Sequence, residues 1–238
     1  MEIVFSCSDK AVVENFPVFT ASANIPKWYS SLPLEMGREK RVFKEGSDNS
    51  TIRRCVPFLD AITAGYIIPL PYDIFVTREK LVSADGVELD LPFYSSHGPG
   101  VNFHTPEQAK DHPMNKKNKP IAKIMNPWSV KTPSGYSCAF LPPLNGKESP
   151  IEIMSGIVDT DTYDNQVNFP FNLIDENFEG LIPAGTPVAQ VIPFKRESWK
   201  MKFGSEKDLE ESRITVSKLR MKVFDSYRSQ FWSKKEFR

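Results

Sequence analysis

The sequence predicts a mainly β fold, either an antiparallel barrel or a β-clip-like domain with Pro-rich turns, followed by a C-terminal amphipathic α-helix. Twenty prolines are spread over the 238 residues, and proline is poorly tolerated inside helices and central strands. Many short strands joined by ordered turns fit this distribution better than a helical bundle. Beyond Gly204 there is neither proline nor glycine. We therefore predict a β-rich domain over residues 1–203 and a helix over residues 204–238.

The N-terminal part of the chain contains a strand candidate, a helical turn and a polar loop. Residues Glu2–Phe5 are predicted to form the first strand. Two prolines bracket the aromatic pair Trp28 and Tyr29, which indicates a short helical turn packed onto the body. The polar residues 40–51 are predicted to form an exposed loop.

The next stretch is dense in apolar residues. A short helix or strand is predicted up to Phe58, and a strand begins at Tyr66. Because two prolines lie close together in this strand, we expect an edge strand or a bulged one. Residues 76–92 have the pattern of a β-hairpin, with Asp85-Gly86 in its tight turn.

The polar segment 97–119 is predicted to be a long surface loop, and such loops are often functional. It contains all three histidines, which are His97, His104 and His112. Their spacing matches no common zinc or iron motif. The three cysteines, which also lack zinc-type spacing, are Cys7, Cys55 and Cys138. We therefore predict no metal site, and we expect the cysteines to be buried free thiols.

The second half of the β-rich region combines strand candidates with Pro and Gly turns. Strands are predicted at Ile121–Ile124, Tyr136–Leu141 and Val188–Phe194. The turns that separate them contain Pro133-Ser-Gly135 and Pro183-Ala-Gly-Thr-Pro187.

The C-terminal region has helical periodicity. Its apolar stripe consists of Val216, Leu219, Val223, Tyr227 and Phe231. Ser205 is suited to cap the helix, and acidic residues follow it in the first turns. One interpretation is a helix packed on its own β-body, and the alternative is a helix that joins subunits or grips a partner. Under the alternative, the residues predicted to bind the partner are Tyr227, Phe231 and Trp232.

Composition and charge exclude several classes of protein. Thirty basic and thirty acidic residues give a net charge of zero, so no global field attracts nucleic acid or an anionic membrane. The N-terminus has no signal-peptide pattern, and no apolar run approaches the ~20 residues that span a bilayer. We expect a cytoplasmic protein without membrane or nucleic-acid partners. The nucleophile elbow, the Walker phosphate loop and the dinucleotide-binding fingerprint are also absent from the sequence.

Two segments resemble the last half of the β-clip fold of dUTPases and dCTP deaminases. They are Gly156-Ile-Val-Asp159 with Tyr163 after it, and Ile182–Gln190. In that superfamily, a Gly-x-Ile/Val-Asp segment with a downstream aromatic residue holds the sugar and positions the attacking water. The resemblance implies that Asp159 orients water, that Tyr163 stacks on the sugar and that Mg²⁺ bridges the phosphates.

The chain departs from the dUTPase pattern at two points. The Arg-Ser segment that binds phosphates is absent after Pro133-Ser-Gly-Tyr136, and Asp159 and Tyr163 are one residue further apart than in the pattern. Without a cation there, triphosphate binding loses direct electrostatic support. A cation would have to reach the site from elsewhere in the fold, and the candidates are Arg53, Arg54, Lys131 and Arg196.

A second resemblance covers most of residues 25–200. It is carried by WSVKTPSGYSCAFLPPLN, SGIVDTDTYDNQVNFPFNL and IPAGTPVAQVIPFKRESW, together with PKWYSSLP and GYIIPLP. These blocks resemble a family of uncharacterised proteins of tailed phages, cyanophages especially, and of some bacteria. The resemblance implies a phage origin and supplies no activity.

Three carboxylates cluster in the turn-rich segment after Gly156. Asp159, Asp161 and Asp164 lie within six residues. They could bind Mg²⁺ or orient a water molecule as a general base, or they could only stabilise a turn through their backbone. The residues predicted to bind a ligand are Asp161, Asp164, Tyr136, Asn145 and Gln190.

The sequence alone does not establish a function. The missing catalytic motifs and the aromatic helix lead us to expect an accessory phage-type protein in the host cytoplasm, which binds a host or phage protein or a small ligand. It would need no cofactor, and it would be a homo-oligomer or a minor virion component. The alternative is a Mg²⁺-dependent nucleotide hydrolase related to dUTPases, with Asp159 and Tyr163 as its catalytic residues.

Overall fold

The structure is a computed structural model that describes residues 1–37, 50–77, 81–82, 88–89, 93–95, 100–113, 120–146, 149–221 and 226–238. Several sequence predictions fall outside these residues: almost all of the loop at 40–51, the Asp85-Gly86 turn, His97 and Val223.

Strands make up most of the regular structure. The described strands are Val4–Ser6 (β1), Phe19–Thr20 (β2), Tyr66–Pro69 (β3), Ile74–Val76 (β4), Leu81–Val82 (β5), Glu88–Leu89 (β6), Phe93–Ser95 (β7), Val101–His104 (β8), Ile121–Ile124 (β9), Ser129–Lys131 (β10), Tyr136–Leu141 (β11), Ile151–Ile153 (β12), Gly156–Val158 (β13), Phe169–Leu173 (β14), Gly180–Ile182 (β15) and Pro187–Lys195 (β16). The described α-helices are Lys10–Asn15 (α1), Lys27–Ser31 (α2), Val56–Thr63 (α3), Glu206–Met221 (α4) and Ser226–Gln230 (α5).

The strands form antiparallel sheets. The largest has the order β13-β11-β16-β3-β2, and the next has the order β12-β14-β9-β8. A three-stranded sheet, β15-β4-β7, and the pairs β1-β10 and β5-β6 complete the set. No sheet closes on itself within the described residues, so the β-clip-like alternative fits better than a barrel. The prediction of a mainly β chain with a C-terminal helix is confirmed.

The core lies between the sheets and is filled by alternating side chains. In β12, Ile151 and Ile153 are buried whereas Glu152 is exposed, the period of two that a half-buried strand requires. β14 contributes two fully buried rings, Phe169 and Phe171. The largest fully buried apolar side chains are Phe140, Phe169, Phe171, Ile67, Ile68, Leu70, Ile74, Ile124, Ile153 and Ile182.

A tight turn connects α3 to β3 and brings the helix against β16. Gly65 has a φ of +73°, a left-handed conformation that ends helices and favours glycine. A Cβ atom at this position would overlap the carbonyl oxygen of Val191. The turn therefore needs glycine both for its backbone and for its close approach to β16.

Two of the strand and loop predictions are corrected by the sheet topology. The strand that begins at Tyr66 is not an edge strand, because β3 pairs with both β16 and β2. The ladder between β3 and β16 does contain an irregularity, a register shift between Pro187 and Ala189, but the extra residue lies in β16 and not in β3, the strand predicted to be bulged. Part of the predicted loop at 97–119 is strand β8, which pairs with β9 because Val101 and Phe103 pack against the core.

Of the three cysteines, Cys138 is buried whereas Cys55 is exposed.

The C-terminal region leaves the body and then returns to it. Helix α4 is exposed along almost all of its length, so the interpretation that it packs on its own β-body is wrong for residues 206–219. The chain end does reach the body, since Trp232 and Lys235 bond to Asp60 of α3. We call residues 197–221 the arm. Among the described residues, no helix is long and apolar enough to cross a membrane.

Candidate functional site

The sheet order brings three distant segments together at one end of the five-stranded sheet. Tyr136 at the start of β11 lies opposite Lys195 at the end of β16. On the other side of β11, Cys138 lies opposite Val158, the last residue of β13. The turn after β13, the start of β11 and the end of β16 therefore share one place. We call the side chains of Ser137, Asp159, Asp161 and Arg196 that meet there the carboxylate cluster.

Asp161 and Arg196 form the tightest pair in this cluster. The Nη1 and Nη2 atoms of Arg196 donate to the two carboxylate oxygens of Asp161 at 2.7 and 2.5 Å. The backbone N–H of Gly135 donates to the same carboxylate at 2.8 Å. The hydrogen bonds from Arg196 and then from Gly135 lower the pKa of Asp161 from 3.8 to about 2, and the same carboxylate raises the pKa of Arg196. Both groups are therefore charged over the physiological pH range.

Asp159 is held at one oxygen and open at the other. The hydroxyl of Ser137 donates to Oδ1 at 2.7 Å, and Nη1 of Arg196 lies 3.3 Å from the same oxygen. The Asp159 side chain is 62% exposed, whereas that of Asp161 is only 4% exposed. Within the described part of the chain, Oδ2 of Asp159 has no hydrogen-bond partner. Asp159 is thus the carboxylate of the cluster that a solute can reach.

The turn that carries these aspartates is held by backbone and side-chain hydrogen bonds. The backbone N–H groups of Thr162 and Tyr163 donate to the carbonyl of Asp159 at 3.1 and 2.9 Å. Thr160 is buried, and its hydroxyl lies 2.7 Å from that of Thr132. Further along the turn, Tyr163 and Asp164 face solvent: Tyr163 is exposed, and Asp164 has only a 3.8 Å pair with Lys131 among its ionic contacts in the described chain.

The other residues predicted to bind a ligand lie in two places. Tyr136 is at the cluster, where its carbonyl accepts from Arg196 at 3.1 Å. Gln190 lies opposite Leu141, five residues further along the β11–β16 ladder, which is about 17 Å away at ~3.4 Å per residue. Asn145 is near Gln190, and its carbonyl accepts from the indole N–H of Trp28 at 3.2 Å. The structure therefore does not bring the whole predicted set together.

Gln190 is buried and all of its amide contacts are internal. Its Nε2 donates to the carbonyls of Ala61 and Ala64 at 3.0 and 2.6 Å. Its Oε1 accepts from the backbone N–H of Leu144 at 2.8 Å. The last carbonyls of a helix lack partners within the helix, so the side chain completes the end of α3 and ties it to the turn after β11.

Of the four candidate cations, Arg196 is the one at the cluster. Arg53 donates to the carbonyl of Leu32 and Arg54 pairs with Glu35, away from the aspartates. Arg196 directly follows β16, and β11 lies between β16 and β13, the strand before Asp159, so its place at the cluster depends on a strand order that the sequence does not show. The contribution of Ser137 was not predicted.

The carboxylate cluster does not fit a Mg²⁺ site built by the protein. The described residues include no group of three or more His, Cys, Asp or Glu that could hold a metal ion. Both oxygens of Asp161 already bond to Arg196 and Gly135, and Mg²⁺ takes oxygen ligands in near-ideal octahedral geometry. A guanidinium beside both carboxylates also opposes a second cation.

The predicted partner-binding residues differ in their surroundings. Tyr227 and Phe231 are partly exposed, with ring centroids 6.5 Å apart. The indole N–H of Trp232 donates to both carboxylate oxygens of Asp60, at 3.1 and 2.9 Å. The cations of Arg228 and Lys235 lie 5.7 and 5.9 Å from the Trp232 ring. Trp232 therefore contacts the body of its own chain.

Comparison with known proteins gives only a distant likeness. No family model matches the chain, and no curated protein matches it. Similar solved structures include dUTPases. The native EIAV dUTPase has a TM-score of 0.33 at 10% identity, with 86% of this chain and 98% of that chain covered.

Two phage enzymes give similar values. A mutant of the Staphylococcus bacteriophage 80alpha dUTPase with dUpNHpp has a TM-score of 0.33 at 11% identity, covering 86% of this chain and 88% of that one. A mutant dUTPase from phage phi11 of S. aureus, which coordinates a structural Mg(II) ion, has a TM-score of 0.35 at 10% identity, covering 86% and 97%. At these identities and TM-scores, the likeness says nothing of function.

Proposed function

We propose that this protein is a non-enzymatic accessory protein that binds a protein partner through helix α4. The observation that carries the proposal is the exposure of the apolar residues of α4. These residues are exposed even though the chain before and after the helix is attached to the body. An apolar stripe without cover in the monomer is typical of an interaction surface.

The apolar residues of α4 lie mostly on one side. Leu209, Val216 and Leu219 follow each other at spacings of seven and three, which places them on one face of a helix. Leu209 and Val216 are 58% and 42% exposed. Ile214 is 49% exposed but lies about 140° away from Leu209 around the helix axis. The stripe suits a helix-in-groove interaction, in which an amphipathic helix lies in an apolar groove of its partner.

Attachment at both ends favours this role. At its start the arm follows Arg196, whose backbone N–H donates to the carbonyl of Gly135 at 2.8 Å. After α5, the chain returns to Asp60 through Trp232 and Lys235, and the ring of Phe237 packs edge-on against Tyr66 at 6.0 Å. A helix held in this way loses less conformational freedom on binding than a free tail does.

The carboxylate cluster supports binding over turnover. A phosphate-binding arginine must offer its charge and its paired N–H donors to the ligand. Here Arg196 offers both to Asp161.

The phage resemblance adds two settings for such a protein, the host cytoplasm or the virion. Detection of the chain in purified particles by mass spectrometry distinguishes the second from the first.

The variant Leu209→Ser/Val216→Ser/Leu219→Ser tests the role of α4. We expect it to lose the bound protein that the wild-type chain retains in a pull-down, because three apolar contacts are removed from one face. The matched control is Ile214→Ser, a residue of similar exposure on another face of the same helix, which should retain that protein. A bound protein that survives the triple variant, or that is lost equally in the control, would contradict the proposal.

A second candidate function, nucleotide hydrolysis, is favoured by one observation. Arg196 lies 3.3 Å from Asp159, which supplies a cation where the sequence pattern lacks one. In this candidate, a nucleotide would displace Arg196 from part of its contact with Asp161, while the open oxygen of Asp159 orients a water molecule as general base and Tyr163 stacks on the sugar.

A thermal-shift screen against nucleoside mono-, di- and triphosphates, with and without Mg²⁺, separates the two candidates. A ligand at about 100 times its Kd stabilises a protein by ~2.7 kcal/mol, so binding would be visible. We expect no shift and no turnover, in wild type and in Asp159→Asn alike. A shift with one nucleotide that Asp159→Asn abolishes, together with turnover, would establish the hydrolase and remove the accessory role as the leading proposal.

A further inference from the structure

The first part of the arm has the sequence period of a strand. Trp199, Met201 and Phe203 are apolar, and Lys200 and Lys202 lie between them. Alternation of apolar and polar residues is the pattern of a strand with one buried face. The structure places these residues in no helix or strand. We call residues 199–203 the alternating segment.

The apolar side chains of the alternating segment have no cover in the monomer. Trp199, Met201 and Phe203 are between 83% and 90% exposed. Single exposed apolar residues are ordinary, but three large ones in five positions mark an interface. A strand-like segment in this state is suited to strand addition, in which it pairs with the unpaired edge of another sheet.

The three-stranded sheet offers such an edge at β15. Within the described residues, β15 pairs with β4 alone, so its other side is unpaired. Leu181 lies directly opposite Phe75 on β4, and both side chains are at least two-fifths exposed. Directly opposite residues share one face of a sheet. The outer face of this sheet therefore carries an apolar pair at an open edge, a state that soluble proteins normally avoid or cover.

The charges of the two surfaces are opposite in sign. The chain leading into β15 carries Asp175, Glu176 and Glu179. The alternating segment carries Lys200 and Lys202. Charges of opposite sign across an interface steer association and fix its register. Apolar pattern and charge thus both match the segment to this edge.

We propose that the alternating segment of one copy of this chain pairs as an added strand with β15 of a second copy. Trp199, Met201 and Phe203 then lie on the face that Leu181 and Phe75 expose. The contact is heterologous, since segment and edge are different surfaces, so each copy both gives a segment and receives one. The assembly is a ring where the rotation between copies closes and an open chain where it does not. The inference does not depend on α4 and would stand if α4 bound nothing.

The oligomeric state of the full-length chain tests the inference by sedimentation equilibrium. We expect the wild type to self-associate. Leu181→Lys should weaken association by at least about thirtyfold, as expected for a central apolar contact, and Trp199→Ser/Met201→Ser/Phe203→Ser should do the same. The matched control is Ile157→Lys, because Ile157 is an exposed apolar residue on β13, an edge strand of the five-stranded sheet. This control should associate as the wild type does.

Mixing the two weakened variants gives the sharper test. The segment variant keeps an intact edge and Leu181→Lys keeps an intact segment, so an equimolar mixture should form a one-to-one complex that neither variant forms alone. A monomeric wild type, association that survives Leu181→Lys, or a mixture that stays monomeric would each overturn the inference. Circular dichroism shows whether Leu181→Lys is folded. If it is not, the association of the segment variant alone tests the inference, since its substitutions lie outside the sheets. None of these outcomes bears on the role of α4.

Discussion

Replacing Gln190 by leucine should lower the free energy of unfolding by about 3 kcal/mol, because three partly buried backbone groups lose their partner, at the lower end of the ~1 to 3 kcal/mol that a buried group costs. These are the carbonyls of Ala61 and Ala64 and the N–H of Leu144. Leucine has a similar size, so the loss comes from hydrogen bonds and not from a cavity. Urea denaturation followed by circular dichroism measures the effect.

The matched control for this substitution is Gln166→Leu. Gln166 is exposed and its side chain donates to the carbonyl of Pro127 at 3.2 Å, so the change should stay within about 1 kcal/mol of wild type. If Gln190→Leu were as mild as the control, the side chain would not be the bridge between α3 and β16. It would then be available for the ligand-binding role that the sequence predicts.

Asp161→Asn should lower the melting temperature at pH 7 by a few degrees, because Arg196 loses its charged partner. The folded-state pKa of Asp161 is lowered from 3.8 to about 2. Its contribution to stability is therefore fully present above pH 3.8 and is lost as the pH falls towards about 2. The difference in melting temperature between wild type and variant should narrow over this interval and vanish only below it.

The control is Asp164→Asn in the same turn. Asp164 has only an exposed pair with Lys131 at 3.8 Å among its described ionic contacts, and such pairs contribute little. Its melting temperature should follow that of the wild type at every pH. A difference for Asp161→Asn that stays constant down to pH 2 would mean that the substitution acts through packing and not through the ionised pair.

The sequence was informative where local chemistry decides the structure. Turns that contain proline, such as Pro-Ser-Gly, delimited the strands, so β9, β11 and β16 lie close to their predicted positions. Two prolines around Trp28 and Tyr29 indicated the helical turn that α2 forms. These features depend on φ restriction and turn preference, which single residues carry.

The sequence was less informative where long-range contacts decide. Val101 and Phe103 lie in a polar segment, and their pairing with β9 could not be deduced from local pattern. The sequence predicted one apolar stripe from Val216 to Phe231, but of its described members only Val216 and Leu219 lie in α4. The same apolar pattern suits a covered helix and an exposed one. Likewise, the meeting of Arg196 with Asp161 depends on the order β13-β11-β16. Pairing order is set by the whole fold.

Because the chain end returns to α3, the arm is held at both of its ends and is not a free tail. A force on the arm, such as one that a binding partner exerts, is therefore transmitted at one end to the central strand β16 and at the other end to Asp60. Trp232 lies at the second attachment, and the fluorescence of its indole responds to its surroundings. In a variant without the other three tryptophans, this fluorescence would report whether the arm stays attached. Fusion of a bulky tag after Arg238, whose carbonyl accepts from Tyr66 at 3.3 Å, would loosen this attachment, whereas a tag before Met1 would leave it intact.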